Sequence, residues 1–134
     1  MRRAFADTSF YQALLNPRDA WHAAALRFSE QYTERIMTTE YVLIELGALM
    51  SRGYSRQLFI ELVQEIQSDL STKIVPSTTE IFSEGFALFA ERLDKNWSMT
   101  DCISFVVMDR LGIEDALSCD KHFAQAGFRQ LLPS

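Results

Sequence analysis

Cysteine is scarce: Cys102 and Cys119 are the only two in 134 residues, far apart and in no CxxC pair. That excludes a disulfide framework, and both read as reduced thiols of a cytosolic protein with no part in the chemistry. Long apolar runs are absent too. The longest, "YVLIELGALM", is short for a membrane span and is interrupted by Glu45. The apolar run after "MRR" is too short for a secretory signal. Positive charge is not in excess. A net charge of −5 argues against the broad basic surface that binds nucleic acid without specificity. It leaves room for a carboxylate-held cation, because the acids that build such a site are neutralised by it. Repeats, low-complexity tracts and linkers are also missing, so the chain reads as one domain, 1–134, large enough to bury a continuous core. What remains is an ordinary globular composition, 48% hydrophobic and 23% charged.

Strand and helix patterns alternate along the chain. "RRAFAD" reads as a buried central strand, followed by helix at "FYQALL", a break at "NPRD" and helix again at "AWHAAALRFSEQY". "RIMTT" is a second strand. Thr38 or Thr39 then N-caps "EYVLIELGALMSR", which Gly53 closes. The next helix starts at Ser55 and aligns Leu58, Leu62, Ile66 and Leu70 on one stripe. "KIVPS" is a third strand, stopped by Pro76, and "TTEIFSEGFALFAERLD" an amphipathic helix. After the loop "DKNWS", "MTDCISFVVMDRLG" is apolar on every side and reads as deeply packed. "DALSCD" is a strand ending at Asp120, "KHFAQAG" a short helix and "FRQLL" a closing strand. Such alternation implies a parallel sheet covered on both faces. Ligands of such sheets lie outside the carboxyl ends of the strands, where strand order reverses.

Acidic residues gather at those ends. Asp7 and Asp120 each end an expected strand. Glu45 is the only charge between Tyr41 and Met50, at the border of a face formed by Val42, Leu46, Leu49 and Met50. A carboxylate there costs several kcal/mol, roughly, unless a cation or hydrogen bonds compensate. Each acid also has a plainer reading. Glu45 can reach solvent or pair with an arginine. Asp101 fits a capping box with Ser98. Asp7 and Asp120 can cap the helices that follow them, and Asp94 reads as solvated. Taken together, a set of oxygen donors without histidine or cysteine partners suits Mg²⁺ or Mn²⁺ rather than zinc. Like charges brought this close raise one another's pKa and need a cation between them.

Four segments, "FADTSF", "TTEYVLIEL", "WSMTDCISFVVM" and "LSCDKHF", resemble in order and spacing the motifs of a PIN domain of the small stand-alone VapC-type toxin kind. The resemblance covers nearly the whole chain. It implies a three-layer α/β/α sandwich around a central, mostly parallel sheet. By the same resemblance Asp7, Glu45, Asp101 and Asp120 hold one or two divalent ions, Mg²⁺ or Mn²⁺, with Asp120 the least secure of the four. Thr8, Ser9, Ser98 and Thr100 stand where the family uses hydroxyls to orient ligands or water. The implied activity is metal-dependent cleavage of RNA phosphodiesters by in-line attack of water, leaving a 5′-phosphate and a 3′-hydroxyl. No protein nucleophile is required, in keeping with the lack of a catalytic triad. The implied partners are an RNA substrate, a small antitoxin protein and a second copy of the chain.

Around the acids, Arg52, Arg56, Lys95 and Lys121 are candidate phosphate contacts, each equally readable as solvated charge. His122 is either a phosphate contact or a helix-end polar residue. His22 reads as surface or packing. Trp97 reads first as packing under its loop and second as a base-stacking platform. "FYQALL" and "SRQLFIELVQEI" offer apolar surface for a partner or for the core. Two other functions compete. A receiver-like phosphoacceptor domain shares the sheet, but it needs an acidic pair after the first strand, and here Ala6 precedes Asp7. A PIN-like module that binds RNA or protein without cleaving shares every motif and differs only in turnover.

Overall fold

A computed structural model describes residues 2–132, so the domain bounds at 1 and 134 lie outside the described residues. Five strands form one sheet, with all pairs parallel: β1 (Arg3–Ala6), β2 (Arg35–Thr39), β3 (Thr72–Val75), β4 (Asp115–Leu117) and β5 (Arg129–Gln130). Seven helices are described: α1 (Thr8–Leu15), α2 (His22–Gln31), α3 (Glu40–Leu49), α4 (Gly53–Ser68), α5 (Thr79–Glu91), α6 (Met99–Leu111) and α7 (His122–Gln125). Strand order is β3-β2-β1-β4-β5, so the chain runs outward from β1 to β3 and then returns to β1's other side with β4. The reversal falls between the carboxyl ends of β1 and β4, where an open α/β sheet places its ligand crevice.

Burial follows from this topology. Ala4, Phe5 and Ala6 point alternately to the two faces of the sheet, and all three are fully buried, so helices cover both sides. Ala4 sits beside Ile36 on one flank and Asp115 on the other, and Ala6 beside Leu117. The Asp7 N–H continues the ladder one step past β1 to the Leu117 carbonyl at 3.2 Å. An aromatic group then locks the carboxyl end: Phe105 packs edge-on against Phe123 at 4.9 Å and against Trp97 at 5.0 Å, and Phe5 stacks on Phe123 at 6.3 Å. These contacts tie α6 and α7 to the central strand. Apolar burial of this kind contributes ~25 cal/mol per Å².

Several element ends differ from the sequence reading. Thr39, not Thr38, caps α3 by accepting the Val42 N–H, while the Thr38 hydroxyl donates to the Ala6 carbonyl. Gly53 does not close α3. That helix stops at Leu49, and Gly53 opens α4 with φ +57, two residues before Ser55. Leu70 lies beyond the end of α4 and is 99% exposed, so it is no part of the buried stripe. Leu49 is exposed as well, because the buried face of α3 is carried by Val42, Leu43 and Leu46. The fourth strand is only Asp115–Leu117, and Asp120 stands three residues past it in a turn. "FYQALL" offers little docking surface, since Phe10, Tyr11 and Ala13 are buried. Exposed aromatics instead line α5 at Phe82, Phe86 and Phe89.

Candidate active site

Asp7 is the first residue past β1 and the N-cap of α1, its Oδ1 accepting the Phe10 N–H at 3.1 Å. The capping reading is therefore right, and it describes only part of the residue's surroundings. The Ser9 hydroxyl donates to Oδ1 at 2.8 Å and the Ser118 hydroxyl to Oδ2 at 2.9 Å. Each of those hydroxyls also accepts a backbone N–H from the segment after β4: Cys119 onto Ser9 at 2.9 Å and Asp120 onto Ser118 at 2.9 Å. Two hydroxyls thus clamp the end of β1 to the end of β4. Only 5% of Asp7 is exposed. Burial pushes its carboxyl up to about 7, against the lowering effect of Ser9, Phe10 and Ser118, and the charge of Asp101 adds to the rise.

Asp101 sits at the third position of α6. The capping box forms in full, with the Asp101 N–H donating to Ser98 Oγ and the Ser98 N–H to Asp101 Oδ2, both at 3.0 Å. Burial holds this carboxyl above its ordinary range, the Ser98 N–H and His122 oppose the shift, and the Asp120 charge reinforces it. Asp120 is not the N-cap of α7, a position held by Lys121; it accepts the His122 N–H on Oδ1 at 3.0 Å in the turn before that helix. His122 Nδ1 lies 2.9 Å from Asp101 Oδ2 and 3.1 Å from Asp120 Oδ2. One ligand atom from each of Asp101, Asp120 and His122 falls within 4.8 Å of the others. The expectation of acids without a histidine partner is therefore corrected. The signal lies in "SCDKHF": the turn in which Asp120 accepts the His122 N–H also brings the imidazole against the carboxylates.

Glu45 is half-buried on α3, a helix that packs against α1 and α6. Among the described residues no hydrogen bond or ion pair links it to an arginine or to the other three acids. Thr8 Oγ1 is buried and has no hydrogen-bond partner, Ser98 is occupied by the cap, and Thr100 is half-buried in the first turn of α6. Ser118 was not anticipated. A serine inside an apolar strand end carries no sequence signal of its own, and only the parallel pairing of β1 with β4 brings it to Asp7.

Of the candidate cations, Lys121 is exposed beside Asp120, and Lys95 holds its Nζ 6.0 Å from the centre of the Trp97 ring. Arg52 is the exposed N-cap of α4, and Arg56 is exposed one turn on. Trp97 is buried, with its Nε1–H donating to Gln125 Oε1 at 3.1 Å, so its job is packing and it presents no face to a base. His22 Nδ1 faces the Ala13 carbonyl at 2.8 Å, a packing role.

Elsewhere in the fold arginine neutralises acids: Asp115 holds Arg2 and Arg129, Glu80 and Glu84 hold Arg110, and Asp94 holds Arg92. Among the described residues no arginine or lysine pairs with Asp7, Glu45, Asp101 or Asp120. Three carboxyls in one crevice, two of them pushed toward their neutral form, fit a divalent cation as the missing positive charge.

The PIN domain family profile matches residues 4–129, and the chain belongs to the PIN domain family. The 23S rRNA-specific endonuclease VapC20 of Mycobacterium tuberculosis, strain ATCC 25618 / H37Rv, is 29% identical over 129 residues, 96% of this chain and 98% of the relative. The same figures hold for VapC20 of strain CDC 1551 / Oshkosh. The crystal structure of M. tuberculosis VapC20, a Sarcin-Ricin loop cleaving toxin, matches with a TM-score of 0.88 at 28% identity, covering 97% of this chain and 99% of that one. FitAcB from Neisseria gonorrhoeae shares the fold, with a TM-score of 0.64 at 12% identity over 95% of each chain.

Proposed function

We propose that this PIN domain is a divalent-metal-dependent endoribonuclease and the toxin of a toxin–antitoxin pair, with a structured loop of ribosomal RNA as substrate. The observation that carries the reading is the set of unneutralised acids at the sheet's switch point, in a chain 29% identical to a 23S rRNA-specific endonuclease along nearly its full length. Asp7, Asp101 and Asp120 hold Mg²⁺ or Mn²⁺, and Glu45 adds its carboxylate from α3. When bound, the cation supplies Lewis-acid stabilisation of charge on the phosphoryl oxygens and activates water for in-line attack. Ser9 and Ser118 fix both oxygens of Asp7, and the capping box fixes Asp101, so the ligands are oriented before the ion arrives. Thr8 and Thr100 stand by to orient water or substrate. Lys95, Lys121, Arg52 and Arg56 steer the RNA backbone toward the acidic pit.

A small antitoxin protein and a second copy of the chain are the protein partners. The exposed Phe82, Phe86 and Phe89 of α5 are the apolar surface that supports the second copy. Two free cysteines suit a reducing, cytoplasmic setting. Among the described residues no helix is long and apolar enough to cross a membrane.

The test is cleavage of ribosomal RNA with Mn²⁺ or Mg²⁺, with chelator, and with Asp7→Asn. Cleavage that requires the cation and falls by about 10³-fold in the folded variant is expected. Equal cleavage by wild type and variant removes the assignment of the site. Cation binding without any cleavage of rRNA favours the module that binds and does not cut.

A further inference from the structure

We infer that His122 is itself a metal ligand, through Nδ1, and that with Asp101 and Asp120 it forms a mixed nitrogen–oxygen site preferring Mn²⁺ over Mg²⁺. The inference rests on the reading of this crevice as a divalent-cation centre and goes beyond the four acids expected to build it.

The spacing carries it. Ligand bonds of about 2.1 Å at right angles set neighbouring donor atoms about 3 Å apart. His122 Nδ1 stands 2.9 Å from Asp101 Oδ2 and 3.1 Å from Asp120 Oδ2, so the nitrogen already has the separation from each acid that one ion needs, and a ligand atom from each of the three residues lies within 4.8 Å of the others. The ring is held in place from two sides. Its backbone N–H is bound to Asp120 Oδ1, and the next residue, Phe123, is fully buried between Phe5 and Phe105. Nδ1 faces only carboxylate oxygens and donates to Asp101 Oδ2 where no ion stands between them; among the described residues Nε2 has no hydrogen-bond partner, so the imidazole proton can sit there instead and leave the Nδ1 lone pair to a cation. Imidazole nitrogen is a softer donor than carboxylate or water, and divalent transition ions accept it far more readily than Mg²⁺ does.

The full-length protein answers the question by calorimetric titration with Mn²⁺ and with Mg²⁺, and by pulsed electron paramagnetic resonance of the Mn²⁺ form. The expected result is Mn²⁺ binding at least about tenfold tighter than Mg²⁺, with a directly coordinated histidine nitrogen in the spectrum. In His122→Asn, which offers an amide near the same place, that nitrogen signal vanishes and the preference for Mn²⁺ collapses by about tenfold. Mn²⁺ bound without nitrogen coupling overturns the inference and reduces His122 to a hydrogen-bond donor, while metal-dependent RNA cleavage in the same preparation leaves the proposed function standing. A protein that binds neither ion overturns it too, and cleavage that persists in chelator then removes the metal-dependent reading as well. The spectrum of the wild type decides the matter even where the variant fails to fold.

Discussion

Ser118 Oγ donates to Asp7 Oδ2 at 2.9 Å across 111 residues of sequence, and the same oxygen accepts the Asp120 N–H at 2.9 Å. One hydroxyl therefore sets the distance between the acid that ends β1 and the acid that follows β4. Among the described residues no hydrogen bond of this kind holds Glu45, which is half-buried on α3.

Ser118→Ala removes this link and leaves a half-buried N–H and a buried carboxylate oxygen each short of a partner. The expected cost is about 1–3 kcal/mol in chemical unfolding. Cleavage falls by about 10-fold to 100-fold, because Asp7 and Asp120 lose their common orientation. Added cation at high concentration restores part of the rate, which a defect confined to RNA binding does not allow. Rates measured across a cation titration check this.

Asp7 links stability to pH. Its carboxyl titrates at about 7 in the fold and near 3.8 unfolded, so between those values the native protein holds the extra proton. Its contribution is complete below the unfolded value and is lost as pH rises toward 7, at up to about 1.4 kcal/mol per pH unit. In chelator, urea midpoints are expected to fall from pH 5 to pH 7.5. Asp7→Asn flattens that slope, since the amide does not ionise. Mn²⁺ raises the midpoint more at pH 7.5 than at pH 5. A wild type and a variant with identical slopes would place the titrating group elsewhere.

Gly85 on α5 lies against Ile103 of α6 with no room for a side chain. A Cβ at this position lies 2.4 Å from Ile103 Cγ1 and 3.1 Å from Ile103 Cα. The Ile103 side chain can turn away, and its backbone cannot. Gly85→Ala is expected to cost about 1–3 kcal/mol and to lower the thermal midpoint. Because α6 carries Asp101, cation affinity weakens in parallel; differential scanning fluorimetry with and without Mn²⁺ measures both.

Phe82 and Phe86 stack on each other at the surface of α5, with ring centroids 6.5 Å apart and planes 5° from parallel. Replacing both with serine is expected to turn a dimer into a monomer in sedimentation, with the circular dichroism spectrum unchanged. A wild type that sediments as a monomer at every concentration rejects α5 as the self-association face.

The β/α alternation was legible because each strand is short, apolar and bounded by polar breaks, and all five strands lie where the pattern placed them. Asp7 and Asp101 were legible as capping residues and as acids at strand and helix ends, and they are both. The ends of α3 and α4 were misjudged at Gly53, since a glycine after a helix reads as a stop, and here its positive φ starts the next helix. Leu70 matched a helical stripe that had already ended. The role of Ser118 and the fold-back of His122 depend on pairing across the sheet, which local periodicity does not encode. Arginine pairing of Asp115, Asp94, Glu80 and Glu84 is likewise a property of the folded surface, and the crevice acids lack it among the described residues.

The middle position of β1 has a consequence for how such a protein is made. Asp7 is synthesised well before its partners: its hydrogen-bond clamp waits for Ser118, and its acidic neighbours wait for α6 and the turn after β4. Until β4 slots in beside β1, a nascent chain has half a sheet and no crevice. A nuclease assembled in this order has no complete acidic site until the turn after β4 has been made.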